Sequence, residues 1–117
     1  MNVSRGLRDE DYCYLTTTGR VSGEPRTIEI WFALERNTAY MLSGGGDRAN
    51  WVRNLRQEPF VSVRIGDQTF DGHGRVVTDV KEDALARRLL FDKYQSRYSG
   101  DLSSWRANAL PVAVDLE

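Results

Sequence analysis

Cysteine occurs once in this 117-residue chain, histidine once and lysine twice. The single cysteine, Cys13, cannot close an internal disulfide and has no second thiol with which to build a zinc site. It lies in a strand-like stretch, where a small buried hydrophobe is the expected role. The histidine, His73, sits between two glycines in another such stretch and reads as solvent-facing or structural. No GxSxG, HExxH, CxxC or Walker sequence occurs, so hydrolysis by a nucleophile or a metal has no residues to work with. No catalytic side chain and no metal ligand is assigned. Long apolar runs are missing too: nothing approaches the roughly 20 residues that span a bilayer, and the opening MNVSRGLRDEDYC lacks the apolar centre of a secretory signal. A cytoplasmic chain without an integral membrane segment is expected. The net charge of −1 gives no general attraction to nucleic acid or acidic membranes.

The length fits one domain over residues 1–117, with residues 1–11 as a flexible N-terminus. Residues 12–18 are β-branched and aromatic and read as a strand ending at Gly19. After a turn marked by glycines, Ser22 and Pro25, alternation resumes. Ile28, Ile30, Phe32 and Leu34 point one way, Glu29 and Trp31 the other, as in one half-buried strand paired with the first. Residues 39–43 form a short third strand. Asp47 is the expected N-cap of a helix over 48–57, closed by Pro59. Strands follow at 60–65 and 68–78, the second with Gly72 and Gly74 marking a bulge or the bend of a barrel. Asp79 caps a second helix over 81–94 with Leu85, Leu89 and Leu90 inward, and 111–117 is a last short strand. Hairpins dominate this β-β-β-α-β-β-α-β order, and the regular strand–helix alternation of a doubly wound sheet is missing. The expected architecture is α+β, mainly β: a small antiparallel barrel or strongly bent sheet with two packed helices.

Two glycine-bearing loops could hold an anion. TTTGRVSGEPR offers the hydroxyls of Thr17, Thr18 and Ser22, the backbone amides around Gly19 and Gly23, and the guanidinium forks of Arg20 and Arg26, which suit bidentate phosphate recognition. SGGGDR, with Ser43, Gly44, Gly45 and Gly46, would set bare N–H groups before a helix N-terminus, where the dipole favours negative charge. The alternative for each loop is a simple turn, and an Asp47 cap would compete with an anion for the same amides. Trp51, Trp31, Tyr94 and Tyr98 supply apolar surface of the kind that walls a flat redox ring and its acceptor.

The stretches LTTTGRVSGEPRT, SGGGDRANWVRNLRQEPFVSV and SSWRANALPVAV, in that order, resemble the deazaflavin-dependent nitroreductase family, split β-barrel reductases related to FMN-binding proteins. The resemblance implies a split β-barrel and a reduced deazaflavin (coenzyme F-420) that gives a hydride to a small-molecule acceptor: a quinone, a nitroaromatic or an activated alkene. It implies that Thr18, Gly19, Arg20, Ser22, Gly23 and Arg26 line the phosphate and tail side of the cofactor. Ser43, Gly44, Gly45 and Gly46 would wrap the phosphate, with Trp51 and Asn54 near the ring and its linker. Trp31, Tyr94 and Tyr98 fall on the acceptor side. Two lysines of the family pattern, which face the polyanionic glutamyl tail, are Val21 and Gly44 here, and Glu29 replaces a proline near the ring. FMN in the same barrel is therefore the alternative cofactor, and a non-catalytic carrier of flavin or haem the alternative function. Pairing into a homodimer through an exposed barrel edge is the expectation by analogy.

Overall fold

Two residues decide the architecture. In the computed structural model, which describes residues 5–117, the strand expected over 27–34 is broken at Trp31 and Phe32. The elements run α1 (Arg5–Arg8), β1 (Cys13–Thr18), β2 (Pro25–Ile30), β3 (Ala33–Glu35), β4 (Thr38–Ser43), α2 (Asn50–Gln57), β5 (Phe60–Ile65), β6 (Gln68–Val76), α3 (Val80–Tyr94), α4 (Ser103–Asn108) and β7 (Leu110–Leu116). The strands form a single antiparallel sheet in the order β2-β1-β5-β6-β7-β4-β3. Thus β2 and β3, adjacent in the chain, lie at opposite edges. Six interstrand spacings would separate the edges of a flat sheet by about 29 Å, whereas the three peptide steps from Ile30 to Ala33 reach at most about 11 Å. The sheet therefore curls until its edges meet, which makes the expected barrel and leaves it split at this seam.

Side chains of α3 satisfy the crossing peptides that no strand pairs. The Phe32 N–H donates to the Tyr94 hydroxyl (3.0 Å), which lies 2.7 Å from the Asp11 carbonyl and 3.0 Å from that of Phe32. Lys93 Nζ donates to the same Phe32 carbonyl at 2.9 Å. The alternation survives the break: Ile28 and Ile30 pack on the barrel core, and Phe32 and Leu34 are buried in it.

That core fills the barrel with Leu15, Met41, Val63, Ile65, Val112 and Val114, and α2 closes it with Val52 and Leu55. A second apolar layer lies outside, where Ala86, Leu90 and Tyr94 of α3 and Leu102, just before α4, cover Ala33, Tyr40, Leu42 and Ala113. Strands β4 and β7 are consequently buried on both faces along most of their length, which is why residues 39–42 and 110–114 read as unbroken apolar runs. Gly72 and Gly74 make no bulge, because β6 stays in register with β7 through both and with β5 through Gly72. They are close-approach sites instead, with Leu55 against Gly74 and Val114 against Gly72.

The expected caps divide. Asp79 accepts from the Glu82 N–H (2.9 Å) and starts α3. Asp47 does not cap α2: it lies in a 3-10 turn, and α2 begins at Asn50 after Ala49, with no side-chain cap. Helices α1 and α4 escape the pattern because each is under two turns long. Within residues 5–11, Leu7 is buried in the core and the Arg8 guanidinium donates to the Leu34 carbonyl; residues 1–4 lie outside the described part.

Burial gives the interior opposing proton affinities. It pushes the Cys13 thiol from 9.0 up to about 12, so this cysteine is a core residue and not a reactive one. Burial, helped by the charge of Arg97, pulls Lys93 from 10.5 down to about 8. Between pH 8 and 10.5 the unfolded chain thus holds the Lys93 proton that the folded chain has released, and stability rises with pH. From pH 9 upward the folded chain keeps the Cys13 proton that the unfolded chain loses, and stability falls. Tyr40 and Tyr94, raised chiefly by burial, add to the fall only above pH 10. Urea midpoints should rise from pH 8 to 9 and then level off. In Cys13→Ala the rise should continue to pH 10, and in Lys93→Met the midpoint should fall between pH 9 and 10. Parallel curves for all three proteins would refute this assignment.

Candidate cofactor site

Strand β1 buries Thr17 next to its last residue and hands the chain to a loop that turns back into β2. The loop is closed by its own backbone: the Gly19 N–H donates to the Glu24 carbonyl and the Gly23 N–H to the Gly19 carbonyl, both at 2.8 Å. Gly23 has φ +74°, a left-handed conformation that glycine adopts without strain. Gly19 is required for space, since a Cβ there would lie 2.8 Å from Ser22 Oγ and 3.1 Å from the Glu24 carbonyl.

The loop faces the first two turns of α2 across a cleft of about 490 Å³ lined by Thr17, Gly19, Arg20, Val21, Ser22, Arg26, Thr27, Ile28, Asn50, Trp51 and Asn54. Arg20 spans it. Its guanidinium donates to Asn54 Oδ1 (2.9 Å), Asn50 Oδ1 (3.1 Å) and the Asn50 carbonyl (3.4 Å), and its backbone N–H donates to Asn54 Oδ1 (3.1 Å). Asn54, buried, turns its amide nitrogen to Thr17 Oγ1 at 3.3 Å. Arg26 rests on Ser22 Oγ at 3.2 Å, and the Glu24 N–H fixes that hydroxyl at 3.1 Å. Among the described residues no carboxylate forms an ion pair with either arginine. Two whole positive charges therefore share one concave site with an indole and an isoleucine. That combination suits a ligand with an anionic end and a flat apolar body.

Seven of the residues expected on the cofactor line this cleft: Thr17, Gly19, Arg20, Ser22, Arg26, Trp51 and Asn54. Thr18 and Gly23 face a different groove on the outer side of the sheet, with Phe60, Ser62 and Asp71. Ser43, Gly44, Gly45 and Gly46 line neither. Their loop is folded on itself, Ser43 Oγ donating to the Gly46 carbonyl at 2.9 Å, and it leads through Ala49 into Asn50. Both glycine-bearing segments thus flank the uncapped N-terminus of α2, where Asp47 does not compete for the amides. Sequence reasoning missed Asn50, although its i, i+4 spacing from Asn54 on one helix face was a usable signal.

The three aromatics expected beside the acceptor gather elsewhere. Trp31 stacks on Tyr94 with ring centroids 4.3 Å apart and meets Tyr98 and Trp105 edge-on at 5.7 and 5.5 Å. Tyr94 is only 2% exposed and its hydroxyl is committed to the crossing peptide, so it supports Trp31 from beneath. Tyr98 is 49% exposed and forms the open wall of this shelf. Ile28, in the cleft, and Trp31 are three residues apart, at most about 11 Å along the chain, with Ile28 packed on the barrel core and Trp31 on the outer layer. Cleft and shelf therefore lie close together on either side of the barrel seam. His73 lies exposed on the outer face, edge-on to Phe60. No cluster able to hold a metal ion is present among the described residues, and none of their helices is long and apolar enough to cross a membrane.

Curled sheet and cleft together define a split-barrel protein of the flavin and deazaflavin reductase type. The family described as "F420H(2)-dependent quinone reductase" matches residues 1–117, and the chain belongs to it. It is an oxidoreductase whose cofactor is the deazaflavin coenzyme F-420. The chain is similar to an F420H(2)-dependent quinone reductase of Mycobacterium tuberculosis, with 29% identity over 105 residues that cover 86% of this chain and 69% of that protein. Among solved structures it is similar to an F420-H2 dependent reductase, FDR-A, with a TM-score of 0.70, 24% identity and coverage of 92% and 94%. A second, described as a domain-swapped dimer, has a TM-score of 0.70 and 25% identity, with coverage of 92% and 80%.

Proposed function

We propose that the cleft between residues 19–26 and α2 receives the coenzyme with its phosphate between Arg20 and Arg26, and that the acceptor is a quinone held on the shelf of Trp31 and Tyr98. One observation supports this above the others: two arginines without carboxylate partners converge on a cleft that also holds Trp51. Bound there, the reduced deazaflavin supplies the hydride. The protein's own part is to bind and orient. Arg20 and Arg26 counter the phosphate charge, Ile28 and Trp51 offer apolar surface to the ring, and the stacked pair Trp31–Tyr94 offers a flat apolar face to the acceptor. Tyr98, whose hydroxyl makes no hydrogen bond among the described residues, is placed to donate one to an acceptor oxygen. Val21 is 94% exposed and a Cβ on Gly44 would meet nothing within 4 Å. Neither position presents a charge to the glutamyl tail, so affinity should rest on the phosphate end.

Fluorescence titration with the deazaflavin coenzyme and, separately, with FMN tests the reading, followed by anaerobic turnover of menadione and of a nitroaromatic. Micromolar binding of the deazaflavin, with menadione reduced faster than the nitroaromatic, is the expected outcome. If neither cofactor binds at micromolar concentration, the cleft is not the cofactor site.

A further inference from the structure

Arg20 is held firmly yet is not neutralised. Every oxygen that receives its N–H groups belongs to an amide: Asn54 Oδ1, Asn50 Oδ1 and the Asn50 carbonyl. Three other forks rest on carboxylates, Arg75 on Glu82 and Asp115, Arg87 on Asp83, and Arg97 on Asp11, whereas Arg8 and Arg64 donate singly to backbone carbonyls. A carboxylate would orient the Arg20 fork equally well and form stronger hydrogen bonds, but it would also cancel the charge. Amides fix the fork and leave the full positive charge to the cleft. The local geometry is built around this. Asn50 and Asn54 share one helix face through their i, i+4 spacing, and the Asn54 carboxamide is turned by its surroundings, two Arg20 donors on its oxygen and Thr17 Oγ1 on its nitrogen.

We infer that Asn50 and Asn54 are positioning residues that set the anion affinity of the cleft through Arg20, and that this depends on their being amides and not carboxylates. The inference rests on the reading that the cleft takes the coenzyme phosphate. It adds a claim about electrostatics that the reading alone does not make: an isosteric change of charge at position 50, with all hydrogen-bond acceptors retained, weakens binding.

Asn50 is exposed, so Asn50→Asp is expected to fold, and thermal unfolding of the variant verifies it. Coenzyme affinity is measured by fluorescence between 0.05 and 0.5 M NaCl, with Asn50→Leu beside it. Asn50→Asp should bind about tenfold more weakly at 0.05 M, the defect shrinking to about threefold or less at 0.5 M, where the screening length falls to about 4 Å. Asn50→Leu, which loses the hydrogen bond without gaining a charge, should show a smaller defect of the same size at both salt concentrations. Wild-type affinity in Asn50→Asp at 0.05 M would overturn the inference while leaving the cofactor site standing, and so would a loss that salt does not alter. Failure of the wild-type protein to bind coenzyme would overturn both.

Discussion

Replacing Arg20 and Arg26 together by alanine is expected to weaken coenzyme binding about 100-fold or more at low salt while leaving the barrel folded. A hydrogen bond to a charged group contributes about 1.5–3 kcal/mol. Both side chains are exposed, which pulls each toward the lower bound, so the pair together contributes roughly 3 kcal/mol, or about two powers of ten in Kd. Stability should change little, because Arg26 rests only on Ser22 and the Arg20 backbone keeps its hydrogen bond to Asn54. Arg64→Ala is the control: its guanidinium lies over the Tyr14 ring, 4.2 Å from the centroid, outside the cleft. Its loss should leave affinity unchanged. Titration of both variants at 0.05 M and 0.5 M salt completes the measurement, since a phosphate contact must weaken with ionic strength. Equal affinity for wild type and the double variant would remove the anion site from this cleft.

Arg20 and Arg26 could be read from the sequence because glycine, serine and arginine crowd between two alternating runs, a composition that a solvent-exposed hairpin does not need. Their partners could not. Asn50 at the start of a helix looks like any polar surface residue, and only the fold shows that this surface faces the loop. The strand parity of Ile28, Ile30, Phe32 and Leu34 was legible for a related reason: alternation reports which side is buried. It does not report which neighbour a strand pairs with, so the jump from one sheet edge to the other at Trp31–Phe32 left no mark. What holds that jump is Tyr94, 62 positions away. The same residue, placed by family resemblance on the acceptor side, lies beneath Trp31 with its hydroxyl already committed. Asp47 shows the limit of capping rules: the 3-10 turn at Gly46–Arg48 consumes the residues before the helix, and the start moves to Asn50.

Gly74 is the position where a single methyl group should have the largest effect on the fold. A Cβ there would lie 2.4 Å from Leu55 Cδ1 and 2.5 Å from its Cγ. Leu55 is 1% exposed and packed in the barrel core. The backbone cannot retreat either, since the Gly74 N–H donates to the Pro59 carbonyl at 2.8 Å and Gly74 pairs with Val114 of β7. Gly74→Ala must therefore displace α2, at about 1–3 kcal/mol for an overpacked core and roughly 4–12 °C in Tm for a chain of this size. Leu55→Ala alone should cost about 2–5 kcal/mol through its cavity. The double variant should cost less than the two losses added, by about 1 kcal/mol or more, because each change relieves the other. Helix α2 carries Asn50, Trp51 and Asn54, so Gly74→Ala should also weaken coenzyme binding from a position that does not line the cleft. If the two losses simply add, or if Gly74→Ala leaves Tm unchanged, close approach of Leu55 is not why this strand needs glycine, and the link from barrel wall to cleft through α2 goes with it.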